Sequence, residues 1–195
     1  AGLGWIHAIF AVKPVIDYYA NNHSTANVCT LGAFDKVNYF VLCKRWLNVM
    51  CPKLLYLCFL CFNCIKWCNF ISFAYRLECG VRQGGVLSLY LFAIYVNDIL
   101  TNLHNSILGC FINHVCVNSF MYADDLILLS ISLVELQLMV DICVLELDSI
   151  DLKLHLSKCN CLRIWKRFSD KCCDIAVSDM HLKWVAQSRY LGVYF

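Results

Sequence analysis

The stretch Met121-Tyr122-Ala123-Asp124-Asp125-Leu126-Ile127-Leu128-Leu129 decides the predicted fold. Apolar residues precede and follow the tetrad Tyr122 to Asp125, and this spacing is typical of a β-hairpin whose turn contains Asp. Two adjacent carboxylates at such a tip are unfavourable unless a cation meets them, and Mg²⁺ prefers hard oxygen ligands of this kind. On the tetrad itself, an ordinary polar turn and a metal site are equally good interpretations.

Outside this hairpin, the apolar residues alternate between helical and strand periodicity. Before the hairpin, the predicted elements are a helix at 7–21 with Pro14 inside it, a strand at 28–31, a helix at 35–50, another helix beginning near Pro52 and a strand pair within 65–79. A flexible glycine loop at 80–85 and a buried helix at 86–103 follow, and then the hairpin strands at 110–121 and 126–130. After the hairpin come a helix at 132–150, begun by a Ser132 and Glu135 capping box, and short strands at 161–165, 173–177 and 189–195. This order predicts an α+β fold in which helices pack on one face of an antiparallel sheet. No linker-like tract interrupts it, so residues 1–195 are expected to form a single domain.

Composition limits the class of protein. Hydrophobic residues make up 61% of the chain and charged residues 15%, which is more apolar than most soluble domains. The densest apolar run, at 54–65, is too short to cross a bilayer, and no signal peptide is recognisable. The net charge of +2 is weak support for nucleic-acid binding, and the basic residues gathered at 153–171 are better explained as a solvated face. We expect an intracellular protein of the cytoplasm and nucleus, with no membrane partner.

The fifteen cysteines raise two further hypotheses. A secreted disulfide scaffold is disfavoured, because the chain has no signal peptide and has ample apolar sequence for a core. Cys58, Cys61, Cys64 and Cys68 match the spacing of a bacterial iron–sulfur cluster. They lie among Leu, Phe and Trp without a following proline or a second run, and buried cysteine is a small hydrophobe in such surroundings. A redox protein is therefore the weaker alternative.

Stretch 121–129 resembles the catalytic hairpin of reverse transcriptases of the non-LTR (LINE-like, jockey-like) retrotransposon kind. Other segments resemble motifs of that family in the family's order: AFDKVN at 33–38, GVRQGGVLS at 80–88, HLSKC at 155–159 and RYLGV at 189–193. The resemblance covers nearly the whole chain. It implies a reverse-transcriptase palm with part of the fingers.

The resemblance also implies an activity and its residues. The activity is two-metal transfer of a nucleotide from a dNTP to the 3′ end of a DNA primer on an RNA template, with Mg²⁺ as cofactor and Mn²⁺ as a substitute. By this resemblance, Asp124 and Asp125 would bind the metal ions and act in catalysis, and Lys158 would donate a proton or neutralise charge at the leaving pyrophosphate. Phe34 would exclude a 2′-hydroxyl, Gln83 and Gly84 would contact the base pair and template, and Tyr122 would contact substrate.

The first metal-binding aspartate of the family has no counterpart here. In the family it precedes the gate aromatic by five residues, which leads to Cys29, and residues 27–32 contain no carboxylate. The segment is similar to one from which three residues were deleted after Leu31. A thiol is a poor ligand for a hard cation, so we expect impaired activity.

The resemblance further implies how the chain divides. Residues 1–26 would be a remnant of the fingers and residues 27–195 the palm, ending at the strand that grips the primer. The rest of the fingers, the thumb and the endonuclease of the retrotransposon polyprotein are expected to lie outside this chain. A non-catalytic nucleic-acid-binding remnant is the main alternative to an enzyme.

Overall fold

The computed structural model describes residues 5–32, 66–67, 70–71, 86–164 and 173–195. The predicted helix at 35–50, the helix near Pro52, the glycine loop and the four-cysteine run lie outside these residues. Of the helices described, none is long and apolar enough to cross a membrane.

The described residues form helices and short strands, most of the strands lying in the second half of the chain. In chain order they are α1 (Trp5–Asn21), β1 (Ala26–Leu31), β2 (Lys66–Trp67), β3 (Phe70–Ile71), α2 (Val86–Asn105), β4 (Cys110–Ile112), β5 (Val115–Val117), β6 (Ser119–Tyr122), β7 (Asp125–Ser130), α3 (Leu133–Ser149), a 3₁₀ turn (Leu156–Lys158), β8 (Asn160–Ile164), β9 (Ala176–Val177), β10 (Met180–His181), β11 (Lys183–Val185), β12 (Arg189–Tyr190) and β13 (Val193–Tyr194).

A five-stranded sheet in the order β11-β8-β1-β7-β6 is the largest sheet of the described residues. Strand β1 lies in its middle, antiparallel to β7 on one side and to β8 on the other. Strand β11 joins the edge of β8 in parallel. Every residue of β1 is buried, which agrees with a strand that has neighbours on both sides and packed layers on both faces.

The two faces of this sheet bury different residues, because successive side chains of a strand point to opposite faces. The α2/α3 core includes Cys29, Leu31, Leu126, Leu128 and Cys161 from the sheet. The α1 core includes Val28, Ile127, Leu129, Leu162 and Tyr190, against Val12, Val15, Ile16 and Tyr19 of α1. Each fully buried Val or Leu contributes about 1.5–3 kcal/mol.

The predicted α+β class is confirmed, and the structure adds a helix to the second face of the sheet. Helices α2 and α3 pack on one face as expected, whereas α1 covers the other. Pro14 lies inside α1 without ending it, on its exposed side. The Tyr19 hydroxyl donates to the Phe111 carbonyl and accepts from the Phe111 N–H, both at 2.9 Å. These bonds hold the end of α1 against β4.

The predicted capping box at the start of α3 is wrong. Ser132 is the N-cap residue, but its side chain makes no capping hydrogen bond. Glu135 instead accepts a 2.9 Å bond from the Ser130 hydroxyl, whose oxygen accepts the Ser132 N–H at 3.1 Å. The last residue of β7 therefore replaces the cap residue in ordering the first turn of α3.

Two stretches predicted as single strands are hairpins. The run at 110–121 divides into β4 and β5, joined at Asn113 and His114, which both have positive φ, and then β6. The run at 189–195 is the β12–β13 hairpin, which turns at Leu191 and Gly192, also with positive φ. Two-residue turns with positive φ match the twist of paired strands.

Candidate functional site

The β6–β7 hairpin presents adjacent carboxylates at its tip. Tyr122 pairs with Asp125, so Ala123 and Asp124 form the two-residue turn. Ala123 has a φ of 53°, a conformation that is unfavourable for a residue with a Cβ atom and that tight hairpins require. The Asp124 side chain is exposed, and that of Asp125, the first residue of β7, is half-buried. The predicted hairpin is confirmed.

The end of β1 lies directly beside Asp125. A Cβ atom built on Gly32 would lie 3.3 Å from Asp125 Oδ1 and 4.0 Å from the Cβ of Lys158. The Gly32 carbonyl accepts a 3.4 Å bond from the backbone N–H of His155, just before the 3₁₀ turn that carries Lys158. Asp125, Gly32 and Lys158 therefore form a row across three neighbouring segments of chain.

Electrostatics distinguish Asp125 from its neighbour. Burial raises the pKa of Asp125 above its ordinary value of 3.8, the charge of Asp124 raises it further, and Lys158 opposes the rise. The folded chain thus disfavours a bare negative charge at Asp125. A proton, the exposed ammonium of Lys158 or a bound cation would each relieve this penalty.

Next to this row lies a group of buried polar side chains. The Thr30 hydroxyl donates to the Asn160 carbonyl at 3.3 Å and lies 3.4 Å from the Ser188 hydroxyl. The Asn160 Oδ1 atom and the Tyr190 hydroxyl are buried without a hydrogen-bond partner in the described part of the chain. Sequence reasoning missed this group. The RYLGV motif marked the segment around Tyr190, but no signal pointed to Thr30, Asn160 or Ser188.

The predicted site residues divide into two sets. Tyr122, Asp124, Asp125 and Lys158 meet at one end of the sheet. Phe34, Gln83 and Gly84 lie outside the described residues.

Cys29, to which the count of five residues back from Phe34 leads, does not lie beside Asp125. Cys29 is fully buried in the α2/α3 core and pairs with Leu128 and Cys161. Leu126 and Leu128 of the same strand face the α2/α3 core. Asp125 directly precedes Leu126, so its side chain points to the opposite face of the sheet. Gly32, not Cys29, is the residue of this segment that adjoins Asp125.

The described residues contain no group of three or more His, Cys, Asp or Glu placed to hold a metal ion. Asp124 and Asp125 supply carboxylate oxygens, and Mg²⁺ is commonly held by one or two carboxylates with water and phosphate oxygens completing its shell. The pair has the chemistry for one such ion. Gly32 contributes no side-chain ligand.

Comparison with known proteins assigns the family. Residues 21–195 match the family described as reverse transcriptase (RNA-dependent DNA polymerase). The chain is also 29% identical, over 124 residues, to the retrovirus-related Pol polyprotein from type-2 retrotransposable element R2DM of Drosophila melanogaster. That alignment covers 60% of this chain and 12% of the relative's length. These matches confirm the predicted non-LTR retrotransposon resemblance, and the chain belongs to the reverse transcriptase family.

Proposed function

We propose that this chain is the palm part of an RNA-directed DNA polymerase, which transfers a nucleotide from a dNTP to the 3′ end of a DNA primer on an RNA template. The observation that carries the proposal is the row in which Asp125 lies beside Lys158 and the end of β1. Residues 27–195 would form the palm and residues 1–26 part of the fingers. The rest of the polymerase would belong to a longer polyprotein, as the Pol polyprotein relative suggests.

Asp124 and Asp125 are the residues that would hold Mg²⁺ or Mn²⁺. Their fit rests on the raised pKa of Asp125, because a half-buried carboxyl next to a second carboxyl is relieved by a cation. When bound, the cation would supply charge neutralisation at the phosphate oxygens. The hairpin supports this role by holding Asp124 in its turn and Asp125 at the start of the paired strand that follows.

Lys158 would act on the leaving pyrophosphate, as proton donor or as charge partner. Lys158 is exposed and lies near enough to Asp125 to oppose the rise in that residue's pKa. A mobile ammonium on the other side of Gly32 from Asp125 suits contact with a phosphate bound between them. Tyr122, opposite Asp125 in the hairpin, would contact substrate. Phe34, Gln83 and Gly84 keep the roles that the family motifs imply.

Gly32 is the reason to expect weak activity. The family's first aspartate is absent, and the residue that adjoins Asp125 from β1 has no side chain. Polymerases of this type use carboxylates on both sides of their metal ions. With ligands on the hairpin side only, we expect weak Mn²⁺ binding and little primer extension.

Gly32→Asp tests this explanation. We expect it to increase Mn²⁺ affinity by roughly tenfold or more in calorimetric titrations, because it adds a carboxylate next to Asp125. Gly32→Ala is the matched control, since its Cβ meets the same 3.3 Å contact without adding a ligand. Primer extension on an annealed RNA template is the second measurement. Equal Mn²⁺ affinity in all three chains, or robust extension by the unmodified chain, would contradict the explanation.

The absence of a side chain at Gly32 also favours a second candidate, a non-catalytic binder of RNA–DNA hybrids. That candidate would be supported if the unmodified chain binds a labelled primer–template but incorporates no nucleotide, and if Gly32→Asp does the same. Incorporation by Gly32→Asp that Asp125→Asn abolishes would support the polymerase.

A further inference from the structure

The Tyr190 hydroxyl is a buried polar group without a partner in the described structure. Tyr190 is 3% exposed, and its hydroxyl makes no hydrogen bond to the described residues. Buried tyrosines normally find a partner for this group, because leaving it unpaired costs folding free energy. Phenylalanine would fill the same space in the α1 core without that cost. The hydroxyl therefore points to a bond that forms in another state of the protein.

The surroundings of Tyr190 identify the partner. Its side chain belongs to the α1 core, which also contains Ile127 and Leu129 of β7. Asp125 lies two residues before Ile127 on the same strand, so its side chain is on the same face of the sheet. Burial and the negative charge of Asp125 raise the pKa of Tyr190. Like an ordinary tyrosine hydroxyl, this group carries a proton at neutral pH and can donate a hydrogen bond to a carboxylate.

The hairpin that carries Tyr190 is free of the central ladder in the described structure. Strands β12 and β13 pair with each other as a separate two-stranded sheet. Backbone bonds between Ser188 and Phe195, at 3.0 and 3.2 Å, close its base. The base also contacts the central sheet, because the Ser188 hydroxyl lies 3.4 Å from the Thr30 hydroxyl of β1. A small shift of the hairpin beyond this contact would move the Tyr190 ring relative to β7 without breaking a backbone bond of the central sheet.

We infer that Tyr190 is a positioning residue that acts through Asp125: its hydroxyl donates a hydrogen bond to one oxygen of the Asp125 carboxylate when the other oxygen binds a divalent cation. This inference rests on the proposed function. Carboxylates that bind metal are commonly held by a second hydrogen bond of this kind, which fixes their orientation.

Tyr190→Phe tests the inference, with the Gly32→Asp chain as the parent because its affinity is expected to be measurable. We expect Mn²⁺ affinity in calorimetric titrations to fall roughly tenfold. In urea unfolding without metal, the midpoint should stay the same or rise, because an unpaired buried hydroxyl has been removed. Tyr194→Phe is the matched control: it removes the hydroxyl of a 65% exposed tyrosine on the same hairpin and should change neither quantity.

The possible outcomes separate the inference from the proposed function. Equal Mn²⁺ affinity in Tyr190→Phe and its parent would overturn the inference and leave the metal site intact. A lower urea midpoint with unchanged affinity would also overturn it, since the hydroxyl would then be a structural group. Failure of the parent to bind Mn²⁺, or binding that survives Asp125→Asn, would overturn the proposed metal site and the inference with it.

Discussion

Asp125 combines a half-buried carboxyl, a neighbouring carboxyl and a nearby ammonium in one position. Because its pKa is raised in the folded chain, ionisation of Asp125 opposes folding. Its unfavourable contribution is absent below the ordinary value of 3.8 and grows as the pH rises through the raised value. A site for a cation thus weakens the fold that carries it, which is common where function requires a local charge.

Asp125→Asn should remove that contribution. In the absence of metal, the free energy of unfolding of the variant, relative to the unmodified chain, should be higher at about pH 7 than at about pH 3. The reason is that only the unmodified chain loses stability as Asp125 ionises. Urea unfolding of both chains at the two pH values measures the change. Asp124→Asn should change the pH dependence in the same direction but less, because the charge of Asp124 contributes to the raised pKa of Asp125 after burial does. A difference between the variant and the parent that is the same at both pH values would contradict the raised pKa.

Strand β1 illustrates what the sequence could predict about the site and what it could not. The apolar run at 28–31 was enough to predict a strand, and the tetrad at 122–125 was enough to predict the carboxylate hairpin. Counting five residues back from Phe34 then led to Cys29, which faces the α2/α3 core. The residue beside Asp125 depends on the pairing of Leu31 with Leu126, and that register is a long-range property.

Cys29→Asp should therefore harm the protein without restoring a ligand. Cys29 is 0% exposed and shares its face with Leu128 and Cys161. A carboxylate there would be buried without a partner, and we expect a loss of at least about 3 kcal/mol in unfolding free energy. Urea unfolding measures that loss, with Cys29→Ser as a milder control. A soluble Cys29→Asp chain with improved Mn²⁺ affinity would contradict the assigned register.

The β4–β5 hairpin was missed for a local reason. Its turn uses Asn113 and His114 instead of glycine, so the run at 110–121 has the composition of one continuous strand. Gly109 before it was also overlooked. Its φ is 138°, and a Cβ atom built there would lie 2.6 Å from the Cβ of Asn118. Asn118 is itself buried and donates a 2.7 Å bond to the Leu103 carbonyl at the end of α2.

Gly109→Ala should weaken the junction between α2 and this hairpin. The added methyl group meets Asn118 inside normal contact distance, and the backbone conformation disfavours a side chain, so we expect a loss of about 2–3 kcal/mol. Thermal unfolding measures it. Gly192→Ala is the comparison, because its Cβ atom would have no neighbour closer than 4.0 Å and only the strain of a φ of 85° would remain. Equal losses in the two variants would show that packing against Asn118 is unimportant.

At the scale of the whole molecule, one sheet separates two cores of different size among the described residues. The larger α2/α3 core and the smaller α1 core share the buried strands β1 and β7, whose alternate residues enter each. Both faces of these strands are apolar, so the sequence shows no alternation of polar and apolar residues along them. The pattern therefore did not reveal which helices cover which face. That assignment depends on packing between segments far apart in the chain, which periodicity does not encode.

Shared central strands predict that the two cores unfold together. Leu136→Ala in α3 and Ile16→Ala in α1 each remove a buried side chain, and we expect each to cost about 2–5 kcal/mol. Because neither core keeps its sheet if the other is lost, both changes should shift one common transition followed by far-ultraviolet circular dichroism and by tryptophan fluorescence. Val134→Ala, at a 71% exposed position of α3, is the control and should have little effect. If α1 formed an independent layer, Ile16→Ala would instead produce an early transition of its own and leave the main one unchanged.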